Sequence, residues 1–311
     1  MAQAQTSTTT TTTQTTNESS AKIENLQKKD ETMKDTDEDI TNARLRAALG
    51  SKSKWSVRTA MAYQGGSIEK PADELRPNYR GAVATQTRTY LNADVAVKRR
   101  LGDIDSLNFG TGILVYTPFH RTTQEATNSG SGKSNRRNAN VSSPYLEYNL
   151  AYKLGSLQAS SSATYTHSTT DYDVNDVRTI GAVDVSQTLI GEVTTKLSLG
   201  ASLVLAKTLY KGQSKFDGEG NRKVNLDPGL YPFLEYSFND KYSFRTVFGY
   251  FQFQEFENDL GKFRQLTPYQ SAGIGISVTR DIYLYPNVQF AAKNIRSDVT
   301  NVGLSANINV F

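Results

Sequence analysis

The chain contains few side chains that could carry out acid–base or nucleophilic chemistry. Its 311 residues include no cysteine and only two histidines, His120 and His167. The absence of cysteine excludes thiol catalysis, disulfide bonds and cysteine-ligated metals. His167 is followed by Ser168, but adjacent residues of a strand point to opposite faces, and the alternation of this segment assigns His167 to the polar, inward face. We therefore expect no catalytic residues.

Two short motifs have the composition of a ligand site without its context. Asp171, Asp173, Asn175 and Asp176 supply four oxygen ligands within six residues, a density that hard cations such as Ca²⁺ favour. A solvated acidic loop has the same composition, and we expect the loop, with a weak cation site as the alternative. The glycine-rich residues 130–134 lack the strand–helix unit of a phosphate-binding loop. We expect no bound metal and no cofactor.

The charges are mixed rather than clustered. Lys and Arg number 35 and Asp and Glu number 31, which gives a net charge of +4. Nucleic-acid binding needs basic residues concentrated on one face, so we expect no nucleic-acid partner. The chain also lacks the run of about 18 apolar residues that a membrane-spanning helix requires.

The first 52 residues differ in composition from the rest. Nine of the eleven residues 6–16 are threonine. Such a tract cannot bury a core, and we predict a disordered threonine-rich segment over 1–19. Residues 20–52 are charged and rich in helix formers, which predicts a periplasmic helical segment with a short helix near 38–49.

One apolar stripe runs along this helical segment. Its members recur at every seventh position, at Leu26, Met33, Ile40 and Ala47. The companion positions of a coiled-coil seam are charged, so a solvated spacer and a helix that plugs a pore are alternatives to an oligomerising helix. Copies held side by side at a membrane have a high effective concentration. We therefore predict that the stripe joins identical copies.

From residue 53 to residue 311 the hydrophobic period is two. In the last segment Val302, Leu304 and Ile308 occupy one face while Gly303 and Ser305 occupy the other. Such alternation predicts half-buried strands, and each is long enough to cross a bilayer with a tilt, which needs about 9–11 residues. We count twelve strands, at 54–64, 79–99, 105–118, 144–154, 157–168, 177–189, 195–207, 229–238, 241–253, 267–279, 281–293 and 299–311.

Short and long connections alternate between these strands. Two-residue turns such as 155–156 and 239–240 are followed by polar loops such as 119–143 and 208–228. Outer-membrane barrels have short periplasmic turns and longer outer loops. A soluble sandwich or lipocalin-like barrel is the alternative, but it does not explain a polar face so rich in glycine and serine. We therefore predict an all-β fold, an antiparallel transmembrane β-barrel of about twelve strands with a polar lumen.

The polar face also carries charges, which we expect to line the lumen. They are Arg58, Arg88, Asp94, Glu147, Asp184, Lys196, Glu235 and Arg245. With Arg80 and Lys98 added, bases outnumber acids in this set, which predicts a modest preference for anions in an open pore.

Residues 54–311 resemble the Gram-negative outer-membrane β-barrel proteins. The C-terminal strand carries their assembly pattern, polar-x-Gly-x-x-apolar-x-apolar, at Asn301, Gly303, Ala306 and Ile308, and the chain ends in Phe311. The resemblance implies an outer-membrane location in a Gram-negative bacterium, recognition by the barrel-insertion machinery, and contact with outer-membrane lipids and lipopolysaccharide.

Function then follows from architecture. We predict a non-enzymatic, porin-like channel or membrane scaffold that forms homo-oligomers through its lipid-facing aliphatic residues. The alternatives are a translocator barrel with the N-terminal helix in its pore and an outer-membrane lipid-modifying enzyme. Pro286 lies in mid-strand, where it cannot donate a ladder hydrogen bond, and predicts either a bulge or incomplete pairing.

Overall fold

The computed structural model describes residues 40–77, 87–120, 139–212 and 223–310. Within these ranges the chain forms a short helix, α1 (Ala43–Leu49), and a sheet whose twelve long strands close on themselves. The strands are β1 (Trp55–Ser67), β2 (Tyr90–Arg100), β3 (Asp105–Tyr116), β4 (Ala139–Leu154), β5 (Leu157–His167), β6 (Thr179–Glu192), β7 (Leu197–Tyr210), β8 (Val224–Ser237), β9 (Tyr242–Gly249 and Phe251–Phe256), β10 (Tyr269–Ser277), β11 (Ile282–Phe290) and β12 (Asn301–Val310).

Each strand pairs with its sequence neighbours in antiparallel register, and β12 returns to pair with β1. The closing pair runs from Val57 opposite Val310 to Ser67 opposite Asn301. The predicted twelve-stranded antiparallel barrel is therefore confirmed. Closure matters because it removes the unpaired edges that an open sheet would expose.

The short elements belong to the long loops. Leu75–Arg76 pairs with Thr87–Arg88 as a separate hairpin, and Phe263–Gln265 pairs with the second part of β9. A π-helical turn (Tyr172–Val177) connects β5 to β6, and a 3₁₀ turn (Glu257–Asp259) follows β9.

The hairpin corrects one predicted boundary. Alternation predicted a single strand over 79–99, but β2 begins at Tyr90 and Arg88 belongs to the hairpin. Thr89 separates the two, because its backbone N–H donates to the carbonyl of Glu74 and its hydroxyl donates to the carbonyl of Asp73, at 2.9 and 2.8 Å. These bonds hold the chain against the β1–β2 loop instead of the wall.

Pro286 interrupts pairing without a bulge. On either side of it, Asn287 lies opposite Gly273 and Leu284 lies opposite Ile276. The two pairs are three residues apart in β11 and three residues apart in β10, so the register is unchanged. The residues between the two pairs, however, are not paired with each other. The bulge predicted at Pro286 is wrong, and the alternative of incomplete pairing is what occurs, since proline has no N–H to donate.

A bulge does occur beside Pro232, a mid-strand proline of β8. Phe233 lies opposite Val247, and Leu230 lies opposite Phe251. The two pairs are three residues apart in β8 but four residues apart in β9. The extra residue of β9 separates its two parts. A bulge bends its strand and increases the local twist.

Gly273 allows β10 and β11 to approach closely at the Pro286 interruption. A Cβ atom at Gly273 would lie 2.2 Å from the carbonyl oxygen of Pro286, whereas at Gly303 it would meet only side-chain ends, the nearest being Asn287 Oδ1 at 3.0 Å. We predict that Gly273→Ala lowers the free energy of unfolding by about 1–3 kcal/mol, the usual cost of overpacking. The denaturant midpoint of detergent-folded protein measures this.

Gly303→Ala is the matched control, since it adds the same methyl group to the lumen beside the same Asn287 side chain. It should shift the midpoint much less. Equal stability of the Gly273→Ala variant and the wild type would contradict the close approach.

Candidate functional site: the lumen and its helical plug

The helix α1 lies inside the barrel at its short-turn end. Asn42 caps it, with its side-chain oxygen accepting the N–H of Leu45 at 3.1 Å, and Gly50 ends it with a φ of 86°, a conformation that glycine adopts without strain. The helix has only seven residues. A helix this short is not stable alone in water, so its conformation depends on the wall that surrounds it.

We call residues 40–50, which contain α1, the plug. One side of the plug packs in an apolar cluster. Ile40 and Leu45 are 0% and 3% exposed. They pack against inward-facing residues of β4, β6 and β8, namely Ala151, Ile190 and Phe233. Apolar residues that point into a polar lumen are exceptions to the pattern of the wall, and here they form the seat of the helix.

The other side of the plug contacts the opposite part of the wall. Ala47 is fully buried against Tyr283 and Tyr285 of β11. Contact with β4–β8 on one side and with β11 on the other means that α1 spans the lumen.

Polar groups of the wall bind the backbone at the C-terminal end of the plug. The Asn309 amide donates to the carbonyl of Ala47 at 2.6 Å, and Arg280 donates to the carbonyl of Gly50 at 3.0 Å. The Lys98 ammonium donates to the carbonyl of Leu49. The last carbonyls of a helix have no intrahelical partner and carry partial negative charge, so two cations and an amide suit this position.

The N-terminal end of the plug is held by β5 and β6. The Asn42 backbone N–H donates to Gln158 Oε1 at 2.9 Å, and the Thr41 hydroxyl donates to Glu192 Oε1 at 2.7 Å. Hydrogen bonds thus attach both ends of α1 to the wall.

Two charged groups of residues line the lumen wall. Arg58 of β1 pairs with Glu147 of β4 at 2.7 Å, and the Asn108 amide donates to the same carboxylate at 2.9 Å. Glu235 and Arg245 are cross-strand partners on β8 and β9. The Arg245 guanidinium lies 4.8 Å from the centre of the Phe233 ring, a distance suited to a cation–π contact.

The predicted lumen charges fall into two sets. Six lie on wall strands with inward parity: Arg58, Asp94, Glu147, Asp184, Glu235 and Arg245. The other two do not. Arg88 belongs to the hairpin outside the wall, and Lys196 is an exposed turn residue just before β7. Arg80 lies outside the described residues.

Asp227 is a lumen acid that the sequence prediction missed. It pairs with Ala206 of β7, as Asp184 does from the other side, and its carboxylate accepts a hydrogen bond from Gln254 at 3.1 Å. The predicted strand began at residue 229. Asp227 has the same inward parity as Phe233 and Glu235. Had the predicted strand been extended past Pro228, it would have included Asp227 on the inner face.

The helix stripe has a different role from the predicted one. Ile40 and Ala47 are both fully buried against the inner wall, so neither can join a neighbouring copy. The physical reason is that the lumen offers these side chains apolar partners within the same chain. Leu26 and Met33 lie outside the described residues.

The residues of the assembly pattern occupy both faces of β12. Asn301 and Gly303 point inward, and Ala306 and Ile308 point outward. The Asn301 amide donates to the carbonyl of Pro77 at 3.0 Å. Phe311 lies outside the described residues.

His167 faces outward, not inward as its predicted parity required. It pairs with Gly181, and its ring lies beside that of Tyr165, with Nδ1 3.3 Å from the tyrosine hydroxyl. Both faces of β5 contain small residues, such as Ser160 and Ser161, so the parity was poorly defined by sequence. His120 contacts the carbonyl of Ala72 at 2.6 Å.

The outer face of the wall is apolar. Val97, Phe109 and Leu146 are cross-strand neighbours on β2, β3 and β4, and they are 50%, 63% and 46% exposed. A soluble barrel buries its apolar face, whereas a barrel in lipid presents it outward. Trp55 lies near the short-turn rim with Arg99 stacked over its ring at 5.4 Å, as expected at a membrane interface.

Other kinds of site are not evident in the part of the chain that the structure describes. There, no three His, Asp or Glu side chains come close enough to hold a metal ion. The helical elements of the same ranges fall short of the length and hydropathy that a membrane-spanning helix needs.

No family model and no curated protein matches the chain. An outer membrane channel from Pseudomonas putida F1 is 12% identical with a TM-score of 0.49, over 84% of this chain and 97% of that one. The NanC porin is 12% identical with a TM-score of 0.43, over 82% and 98%. The KdgM porin is 8% identical with a TM-score of 0.40, over 82% and 98%.

With TM-scores below 0.5 these similarities carry no argument, and the closed wall itself defines the fold. With twelve antiparallel strands, a polar lumen and an apolar outer face, the protein has the fold of the Gram-negative outer-membrane β-barrel proteins.

Proposed function

We propose that the protein is an integral outer-membrane protein of a Gram-negative bacterium and acts as a porin-like channel closed by its own N-terminal helix. The observation that carries this proposal is α1, which crosses the lumen with Ile40 and Leu45 buried on one side and Ala47 buried on the other. Because the helix and its hydrogen-bond partners occupy the short-turn mouth, solutes pass only when it moves.

The contacts of the plug suit a closed resting state that can still open. Full burial of an aliphatic side chain such as Ile40 or Leu45 contributes about 1.5–3 kcal/mol. Two such side chains favour the docked helix by roughly two to four powers of ten in population, at about 1.4 kcal/mol per tenfold.

The charges of the wall set the field in the lumen once the plug leaves. In the described residues the mid-wall bases are Arg58, Lys98 and Arg245. The mid-wall acids are Asp94, Glu147, Asp184, Asp227 and Glu235. Acids therefore outnumber bases, whereas the sequence predicted an excess of bases and a preference for anions. The difference arises because Arg88 and Lys196 lie off the wall and Asp227 lies on it. Acidic rings in a pore favour cations.

We infer a non-enzymatic role. The contacts of the two histidines support it, since His120 contacts a backbone carbonyl and His167 contacts a tyrosine hydroxyl on the outer wall. A general base in acyl transfer needs a nucleophile within hydrogen-bond reach.

We also propose that copies associate in the membrane and that the insertion machinery recognises β12. The burial of Ile40 and Ala47 removes the helix from this proposal and leaves the apolar outer wall as the contact surface. Light scattering of the detergent-purified protein measures the number of copies.

A translocator is the second candidate, and the same helix favours it, because a segment in the pore is what a translocated chain leaves behind. In a translocator the residues preceding α1 reach the cell surface. A peptide tag inserted near residue 20 would then bind antibody on intact cells, whereas in the plugged channel that we propose it would bind only after the outer membrane is opened.

We predict that charges placed in the apolar seat open the channel. In Ile40→Asp/Leu45→Asp two carboxylates would have to be buried without partners, which is far costlier than undocking the helix. Conductance in planar bilayers should rise at least severalfold over that of the wild type. Amide hydrogen exchange over residues 43–50 should increase in the same variant.

Ala43→Asp is the matched control, because it adds a carboxylate at the first turn of the same helix, where Ala43 lines a cavity of about 590 Å³. It should stay closed. Equal conductance of wild type and the double variant, with exchange showing that the helix has undocked, would refute the plugged channel.

We predict a modest cation preference for the opened variant, measured as a reversal potential in a salt gradient. Asp184→Asn/Asp227→Asn should weaken this preference, since both acids flank Ala206 on the wall. Ser186→Asn/Ser202→Asn, which adds polar bulk nearby without changing charge, is the control. Anion preference in the opened channel would contradict the proposed field.

A further inference from the structure

The outer wall has a cleft at the long-loop end, between β5, β6 and the π-helical turn. It has a volume of about 410 Å³, and its lining includes His167, Val174, Arg178, Ile180 and Lys211. His167 of this lining faces outward opposite Gly181, and the cleft lies at the opposite end of the barrel from the mouth that holds α1. Its chemistry therefore needs a separate explanation.

The cleft holds two cations and no acid. Arg178 and Lys211 line it, and their backbones are joined by a hydrogen bond from the Lys211 N–H to the Arg178 carbonyl at 2.7 Å. Neither has an ion-pair partner among the described residues. The nearby Asp173 carboxylate accepts the Thr170 hydroxyl at 2.6 Å and is not part of the lining.

The backbone holds Arg178 in an uncommon conformation. It ends the π-helical turn with a φ of 62° and a ψ of 39°, and its N–H donates to the carbonyl of Asp173. This left-handed region favours glycine, and larger side chains found there often serve a function. An arginine here adds a second cation to the lining of the cleft at a position where glycine would be less strained.

The same cleft is apolar on its other side. Val174 and Ile180 are 42% and 41% exposed and line it together with the cations. A site for a free anion does not need exposed aliphatic surface. A site for an amphiphile needs both a cationic surface and an apolar surface.

The position of the cleft matches the boundary of a membrane. Tyr165 and Val183 are paired on the outer face and are 41% and 37% exposed. The next outward pair is His167 with Gly181, about 6–7 Å further along the strands, and this pair adjoins the cleft. Arg178 and Lys211 thus lie just beyond the apolar band, at the depth of lipid headgroups.

We propose that this cleft binds the phosphate-bearing headgroup of an anionic lipid of the outer leaflet. Arg178 and Lys211 bind the phosphate, and Val174 and Ile180 contact the apolar part of the same lipid. The assignment rests on the proposed insertion of the barrel in the outer membrane with its long loops outward. It does not depend on conduction.

The test is lipid binding to the full-length protein in detergent, followed by native mass spectrometry. The probes are phosphatidylglycerol, lipid A, neutral phosphatidylcholine and inorganic phosphate. The variant is Arg178→Gly/Lys211→Gln, since glycine suits the backbone conformation and only the cations are lost. At about 1 kcal/mol per basic residue near anionic lipid, affinity for the two anionic lipids should fall roughly thirtyfold, and phosphatidylcholine binding should not change.

Two comparisons separate this site from simpler explanations. Lys70→Gln/Lys293→Gln removes the same charge from other exposed residues at the long-loop end and should leave lipid binding unchanged. Val174→Ser/Ile180→Ser should weaken lipid binding and leave any binding of inorganic phosphate as it was.

An equal loss in the Lys70/Lys293 variant would overturn the proposal, because it would mean nonspecific charge attraction. Displacement of the lipid by millimolar inorganic phosphate would also overturn it, in favour of a free-anion site. Heat-modifiable gel migration shows whether each variant is folded. Incorporation of the protein into vesicles tests membrane insertion separately, so that failure of the lipid site and failure of the proposed function are distinguishable.

Discussion

The pairing of β1 with β12 is the interaction on which the rest of the structure depends. In lipid there is no water to satisfy a backbone N–H or carbonyl, so a sheet can span a membrane only when it has no free edge. Once the edge is closed, side-chain alternation divides every strand into an outward face and a face toward the lumen. The exposed Val97, Phe109 and Leu146 on the outer face and the partly buried ion pair of Arg58 with Glu147 on the inner face are two results of the same closure.

Closure also creates an interior that twelve strands do not fill. Barrels of eight strands can be filled by their own side chains, whereas larger ones leave space. Here the space at the short-turn mouth receives α1. The inward-facing Ile190 and Phe233 are apolar residues of the lumen wall, and they pack against the helix segment. The wall and the helix are therefore complementary: a seven-residue helix needs the wall for its stability, and the apolar part of the wall needs the helix to exclude water.

The two prolines show how the wall tolerates a missing donor. At Pro286 the register continues and individual pairs are lost, while beside Pro232 an extra residue of β9 is accommodated as a bulge. Gly273 allows the strands to remain close at the first site. The register also shifts beside Pro144 of β4, where Thr111 lies opposite Pro144 and Ile113 lies opposite Val141, so such irregularities are not confined to one part of the wall.

The sequence by itself determined the barrel. A period of two with alternating short and long connections specifies strand number, strand direction and the lipid-facing residues, because these depend on local alternation and turn length. It located Arg58, Glu147, Glu235 and Arg245 on the inner face for the same reason. The tertiary structure alone decided what partners these residues have. Ile40 and Ala47 form an apolar stripe that fits a spacer, a seam or a plug equally well, and only the presence of Ile190, Phe233 and Tyr283 at the matching height of a closed wall selects the plug. The tertiary structure also decided the position of Arg88, because the local pattern does not distinguish a separate hairpin from a strand of the wall. It decided the outward direction of His167, because a strand with small residues on both faces has no clear alternation.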